Sequence, residues 1–409
     1  MSTDNLPTGR WRDVAHATGL LGDDGQLHAT IFTEMSALAA RTGALNLGQG
    51  FPDVDGPESV KRAATAAITA GANQYPPGPG IPELRTAVAA HQRRHYGLDL
   101  DPDREVLITT GATEALAATI LALTGPGDEV LTLEPFYDSY AAVIALAGAR
   151  HTTVALRPTP DGFRLDPEEV HAAVTDRTRI ILINTPHNPT GAVLTAEELT
   201  HVVAAAERHD ALILTDEVYE HLVYDDARHI PVATLPGAAQ RTLSVSSAGK
   251  TFSFTGWKIG WLTGPAALVD AVRTVKQFLT FTTGAPFQPA IAHALALETL
   301  TDPDSGWIAT LRDSLATRRD LLSAGLSAAG FEVTPARGTY FVIADAAPLG
   351  VQDAAQFSRE LPERAGVVGV PVRAFTRTPG LLASAVRFTY VKQEAVLREA
   401  VARLERIRP

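Results

Sequence analysis

From about Ala29 onward the chain alternates short, wholly apolar runs with stretches of helical period. "EVLITT" (105–110) precedes "EALAATILAL", and "DEVLTLE" (128–134) precedes "DSYAAVIALAGA". "RIILINT" (179–185) precedes "AEELTHVVAAAERH", and "ALILTDE" (211–217) follows. Apolar, β-branched strands between helices predict an α/β fold whose mostly parallel sheet is covered on both faces. Such strands deliver their loops to one carboxyl edge, where ligands bind. After Trp307 the pattern changes. A long helical run, "IATLRDSLATRRDLLSAGLSAAG", leads to the strands "GTYFVIAD" and "AVRFTYV" and a last helix, as in a second, smaller α/β domain. Residues 1–28 are weakly patterned and read as a flexible N-terminal arm.

Composition narrows the class. The chain has 409 residues, 45% of them hydrophobic and 20% charged, which suits a globular protein with a sizeable core. No apolar run approaches the roughly 20 residues of a membrane helix. No secretory leader pattern opens the sequence, and it contains no cysteine, so a cytoplasmic location is expected. Disulfides and thiolate metal sites or nucleophiles are excluded, and no metal is expected. The net charge of −11 argues against nucleic acid as a partner but leaves room for a local cationic pocket.

Four stretches carry candidate chemistry. In "TTGATEALAATILAL" (109–123) a strand meets a helix at a glycine turn. The N–H groups of Gly111, Ala112 and Thr113 would face an anion there, although a simple cap using Glu114 explains the same residues. In "NTPHNPTG" (184–191) a rigid turn would hold the Asn188 amide at the sheet edge, or would merely be a tight loop. In "LILTDEVYE" (212–220) Asp216 ends a buried strand and needs a cation or a proton, with Tyr219 one turn on. "SSAGKTFSFTGWKIG" (246–260) holds two lysines among small residues. A desolvated lysine is a nucleophile towards carbonyls, and Lys250, with Ser247 three residues before it, is open to a ligand. Lys258 suits a phosphate. Either could instead be a surface lysine with a snorkelled stem. Together these sites ask for a ligand with a phosphate, a protonated ring nitrogen, a phenolate-like oxygen and an aldehyde. Pyridoxal phosphate has all four.

With these stretches in view, the chain resembles the class I/II aminotransferases of fold type I. The branch is that of the kynurenine (glutamine) and methionine aminotransferases and the bacterial N-succinyldiaminopimelate aminotransferases. "NLGQGFPD", "NQYPPGPGIPELR", "GATEAL", "EPFYDSY", "NTPHNPTG", "DEVYEHL", "SSAGKTFSFTGWKIGW" and "VRFTYVK" match in order, from about Thr30 to the C-terminus.

The resemblance implies a ping-pong transfer of an amino group from an L-amino acid to 2-oxoglutarate or pyruvate. N-succinyldiaminopimelate is one candidate donor. Lys250 would bond the cofactor aldehyde and then move the proton from Cα to C4′. Lys258, Ser247 and the Gly111–Ala112–Thr113 turn would hold the phosphate. Asp216 would keep the ring nitrogen protonated, Asn188 and Tyr219 would bond the phenolic oxygen, and Tyr137 would stack on the ring. Arg387 would clamp the substrate α-carboxylate. Gly50 and Phe32 would line the substrate pocket, with Phe32 favouring a bulky or apolar side chain. Tyr75 would reach the phosphate of the neighbouring subunit, which implies a homodimer. The same resemblance places residues 29–60 with the small domain at the site's rim, 61–305 in the large domain and 306–409 in the small one. A distal substrate carboxylate would need a second cation, for which Arg373 and Arg377 are candidates. Two other outcomes share parts of this frame: β-elimination on cysteine conjugates, and a ligand-sensing regulator, which would need an attached DNA-binding domain.

Overall fold

The computed structural model describes residues 8–22 and 24–407. Its main sheet has eight strands. In spatial order they are Val106–Thr110, Ile259–Thr263, Thr242–Ser247, Leu212–Asp216, Thr178–Asn184, Glu129–Glu134, Arg150–Thr159 and Gly162–Leu165. Pairing is parallel from Thr242–Ser247 through to Arg150–Thr159. Ile259–Thr263 runs antiparallel to both of its neighbours, and Gly162–Leu165 forms an antiparallel edge.

The uniformly apolar strands are explained by two cores. Ile180, Leu182, Leu214, Val245 and Leu262 face one side, where they meet Leu116 and Ile120 of helix Gly111–Leu123 and Ile144 of helix Asp138–Ala147. Ile181, Ile183 and Ile213 face the other, against Leu199, Val202 and Val203 of helix Ala196–Arg208. Strand residues alternate between faces, so burial on both sides requires apolar residues at successive positions. Helix Ala196–Arg208 starts at a capping box in which Thr195 and Glu198 each bond the other's backbone N–H.

The C-terminal part carries a four-stranded antiparallel sheet in the order Glu332–Thr334, Phe341–Asp345, Ala385–Thr389, Val370–Pro371. Helix Ile31–Thr42 lays Met35, Leu38 and Ala39 onto Val368, Val370 and Phe375 of this part, and Leu45–Asn46 pairs with Val367–Val368. In the segment read as an arm, residues 1–7 lie outside the described residues. Arg10–Ala17 is helical and packs against helix Asp138–Ala147, with Ala15 buried. Trp11, Val14 and Ala15 stand at the i, i+3, i+4 spacing of its inward face. Among the described residues no helix is long and apolar enough to cross a membrane.

Candidate active site

Five chain segments meet at one edge of the main sheet. The parallel strands end there at Thr110, Asn184, Asp216 and Ser247. The antiparallel strand starts at the same edge, because Ile259 pairs with Thr110 and Gly260 with Ser247. That reversal brings Lys258, one residue before the strand, to the helix that follows Thr110. Gly111 opens this helix with φ +69°, and an added Cβ would lie 3.3 Å from Lys258 Nζ. On the other side, a Cβ on Gly260 would lie 2.6 Å from the Gly111 carbonyl carbon. Two glycines therefore let a helix N-terminus and an ammonium share one concave corner. Glu114 also acts as the sequence suggested, accepting the Thr110 N–H at 2.6 Å. Capping and an open anion cradle coexist.

A cavity of about 400 Å³ opens from this corner. Its lining includes Gly111, Ala112, Thr113, Tyr137, Asn188, Asp216, Tyr219, Ser247, Lys250, Lys258 and Arg387, together with Gly50 and Phe32 from the N-terminal segment. Tyr75 is not among them. It is 83% exposed, on a loop elsewhere on the surface, against Phe281.

Three groups in this cavity are unbalanced in charge or hydrogen bonding. Asp216 is 5% exposed and accepts from the Tyr140 hydroxyl at 2.6 Å and the Val218 N–H at 3.4 Å. It forms no ion pair among the described residues, and burial raises its carboxyl to about 6. Arg387 is 2% exposed and donates to the Gly48 carbonyl at 2.8 Å and to Asn188 Oδ1 at 3.2 Å. Among the described residues its Nε has no hydrogen-bond partner and no carboxylate forms an ion pair with it, and burial lowers the guanidinium to about 10. Phe341, Phe375 and Phe32 surround its head at 4.2, 5.1 and 5.2 Å from their ring centres. Lys250 donates to the Tyr340 hydroxyl at 2.7 Å and to the Gly50 carbonyl at 3.5 Å. The Tyr340 hydroxyl in turn donates a hydrogen bond to the Gly50 carbonyl at 2.5 Å.

The residues fit pyridoxal phosphate on these observations. A buried carboxylate without a cation suits a protonated ring nitrogen. A glycine cradle between an ammonium and a helix N-terminus suits a phosphate. Asn188 is held in place by its own N–H to Asn184 Oδ1 at 2.7 Å, and Asn184 in turn donates to the Asp216 carbonyl at 2.8 Å. Tyr137 stands edge-on to Tyr140, and burial pushes its phenol up to about 12. The buried, unpaired Arg387 suits a substrate carboxylate.

Sequence reasoning missed Tyr140 and Tyr340. Tyr140 had a signal, since it lies one helical turn after Tyr137 within "EPFYDSY". Tyr340 had none, because a tyrosine in an apolar strand reads as core. The structure also excludes the two proposed second cations from this cavity. Arg373 sits 3.4 Å from Asp353, and Arg377 lines a separate groove with Arg10 and Arg150.

Residues 42–404 match the model of the family "Aminotransferase class I and II". The chain is 53% identical over 383 residues to a probable N-succinyldiaminopimelate aminotransferase of Mycobacterium tuberculosis, covering 92% of this chain and 95% of that protein. It is 38% identical to the methionine aminotransferase of Escherichia coli, covering 93% and 97%. The solved structure of N-succinyldiaminopimelate aminotransferase from Mycobacterium tuberculosis superposes with a TM-score of 0.91 at 51% identity, over 98% of this chain and 100% of that one. With the family model spanning nearly the whole length and the cavity matching its cofactor, the chain belongs to the class I and II aminotransferases. It is a fold type I, pyridoxal-phosphate-dependent enzyme that moves an amino group from an amino acid to a 2-oxo acid.

Proposed function

We propose that the amino donor is N-succinyldiaminopimelate, with 2-oxoglutarate or pyruvate as acceptor, and that the transfer runs on the residues just described. The chemistry that pyridoxal phosphate supplies when bound is an aldehyde that receives the amino group and a ring that draws electron density from the substrate Cα. Lys258, Ser247 and the N–H groups of Gly111, Ala112 and Thr113 hold the phosphate. Asp216 holds a proton on the ring nitrogen, and Tyr140 keeps Asp216 aimed at it. Asn188 and Tyr219 bond the phenolic oxygen, and Tyr137 covers one ring face. Lys250 would be the residue that holds the cofactor's aldehyde carbon, and its amine, when free, would be the base that moves the substrate Cα proton. The Tyr340 hydroxyl, anchored on Gly50, fixes the direction of that amine. Arg387 clamps the substrate α-carboxylate in two hydrogen bonds and so orients the Cα–H bond.

The observation that carries this reading is Arg387, a buried guanidinium without a carboxylate in the same cavity as Lys250 and Asp216. The identity to the Mycobacterium tuberculosis relative supports the choice of donor. We assign residues 29–60 and 306–409 to a small domain and 61–305 to a large one. We place the enzyme in the cytoplasm as a homodimer in which Tyr75 reaches the partner's phosphate.

A donor panel tests the proposal: N-succinyldiaminopimelate, methionine and kynurenine against 2-oxoglutarate and pyruvate. The expected result is the highest kcat/KM for N-succinyldiaminopimelate. A higher value for methionine or kynurenine would remove the substrate assignment and leave the reaction intact. Arg387→Leu is expected to lower kcat/KM about 10²–10³-fold for every donor, since it leaves the carboxylate buried and unpaired. A loss under about threefold would remove Arg387 from the clamp.

A further inference from the structure

A second cluster of titratable side chains lies outside the cofactor cavity. His91 and His95 stand four residues apart on helix Pro82–Tyr96, which places them on one face a turn apart. His221 comes from the loop that follows strand Leu212–Asp216. The three rings face one another, with centroids 4.6 Å apart for His91 and His95, 4.9 Å for His91 and His221, and 4.8 Å for His95 and His221. One nitrogen from each lies within 4.8 Å of the other two.

The Gln92 amide lies 3.4 Å from His91 Nδ1, which leaves the Nε2 side of His91 to the other two rings. His91 Nε2 and His221 Nε2 share one proton across 2.7 Å. His95 Nε2 is buried and lies 3.0 Å from Glu298 Oε2. Anionic groups close the surroundings. Glu298 stands beside His95, and the buried Glu220 accepts from Ser246 at 2.5 Å and from the Gln92 amide at 3.5 Å. Three imidazole nitrogens converging beside a carboxylate make a donor set for a borderline divalent metal. Imidazole suits zinc, cobalt and nickel, whereas magnesium and calcium require oxygen donors.

We propose that His91, His95 and His221 bind one divalent transition metal of the zinc type, with Glu298 as the adjacent carboxylate. Zinc–nitrogen bonds of about 2.0–2.1 Å in a tetrahedron set neighbouring nitrogens about 3.3 Å apart. The closest nitrogen pair, His91 and His221, must open slightly and the more distant ones close, which side-chain rotation at the partly exposed His221 and His95 can supply. The bound ion would tie the end of helix Pro82–Tyr96 to the loop that runs from Asp216 through Tyr219. It would therefore act as a clip behind the catalytic strand and take no part in the reaction.

The test uses tag-free holoenzyme stripped with a chelator and dialysed, then titrated with Co²⁺ alone and afterwards with Zn²⁺. The expected result is one Co²⁺ per chain with a tetrahedral visible spectrum, displaced by Zn²⁺, and a thermal midpoint that rises with metal concentration. His95→Asn and the double variant His91→Gln/His221→Asn are expected to bind Co²⁺ at least about tenfold more weakly while keeping the cofactor absorbance of wild type. His95 is partly exposed, so His95→Asn keeps the test valid if the buried His91 does not tolerate change. No Co²⁺ retained by wild type would overturn the proposal. Undiminished binding in His95→Asn would do the same, since it would place the metal elsewhere, at the cofactor included.

Discussion

Lys250 and Lys258 stand eight positions apart in one short stretch, and the fold gives them different neighbours. Lys250 meets two hydroxyl-bearing rings and a backbone carbonyl, whereas Lys258 meets the start of a helix. Motif context separated the two in the sequence, but their neighbours were invisible there. Asp216 was legible as a buried carboxylate in need of a partner. Its partner within the chain, the Tyr140 hydroxyl, is neutral, so the charge stays uncompensated until a cation arrives. This has a pH consequence for the cofactor-free protein. The folded-state carboxyl, raised to about 6, binds its proton more tightly than the unfolded one near 3.9. Asp216 therefore costs no stability at low pH, and its cost grows as pH rises from about 4 to 6. Urea unfolding of cofactor-free wild type and Asp216→Asn at pH 4.5 and 8 is expected to show the variant gaining relative stability at pH 8. Equal differences at the two pH values would contradict the uncompensated charge. The same variant, with cofactor, is expected to slow the half-reaction by several powers of ten, at about 1.4 kcal/mol each.

At the level of elements, the apolar runs and helical periods named most of the central strands and the helices that cover them. The strand Ile259–Thr263 was not legible as antiparallel, because a run buried on both faces reads the same in either direction. That reversal delivers Lys258 to the phosphate corner. Nor could a sequence show that Gly260 lies against Gly111, since the approach joins positions distant in the chain. Gly260→Ala is expected to push the strand off the helix start. Calorimetry and cofactor titration should show a stability loss of about 1–3 kcal/mol and weaker cofactor retention. A variant that holds cofactor as tightly as wild type would show that the close approach does not shape the cradle.

For the whole molecule, the sequence showed the change of pattern after Trp307. The helix Arg10–Ala17 was passed over, although Trp11, Val14 and Ala15 stand at helical spacing. Tyr75 is the residue whose proposed role depends on assembly. It lies apart from its own chain's cavity and is exposed beside Phe281, on a loop stiffened by Pro76, Pro77 and Pro79. Lys276, 1% exposed, holds that loop by donating to the Gly78 carbonyl at 2.9 Å and to the Phe281 carbonyl at 2.8 Å. A held, exposed aromatic fits a group offered to a second chain. Mixing inactive Lys250→Ala chains with Tyr75→Ala chains should then restore one intact site per heterodimer. Subunit exchange without recovered activity would remove Tyr75 from the partner's site.

The central claim is that Lys250 is the lysine that bonds the cofactor and moves the substrate proton. Borohydride reduction of the holoenzyme followed by peptide mapping tests it most directly. The account predicts the reduced adduct on Lys250 alone, and a folded Lys250→Ala protein that retains cofactor without forming an adduct or turning over. An adduct on Lys258, or turnover by Lys250→Ala, would contradict it.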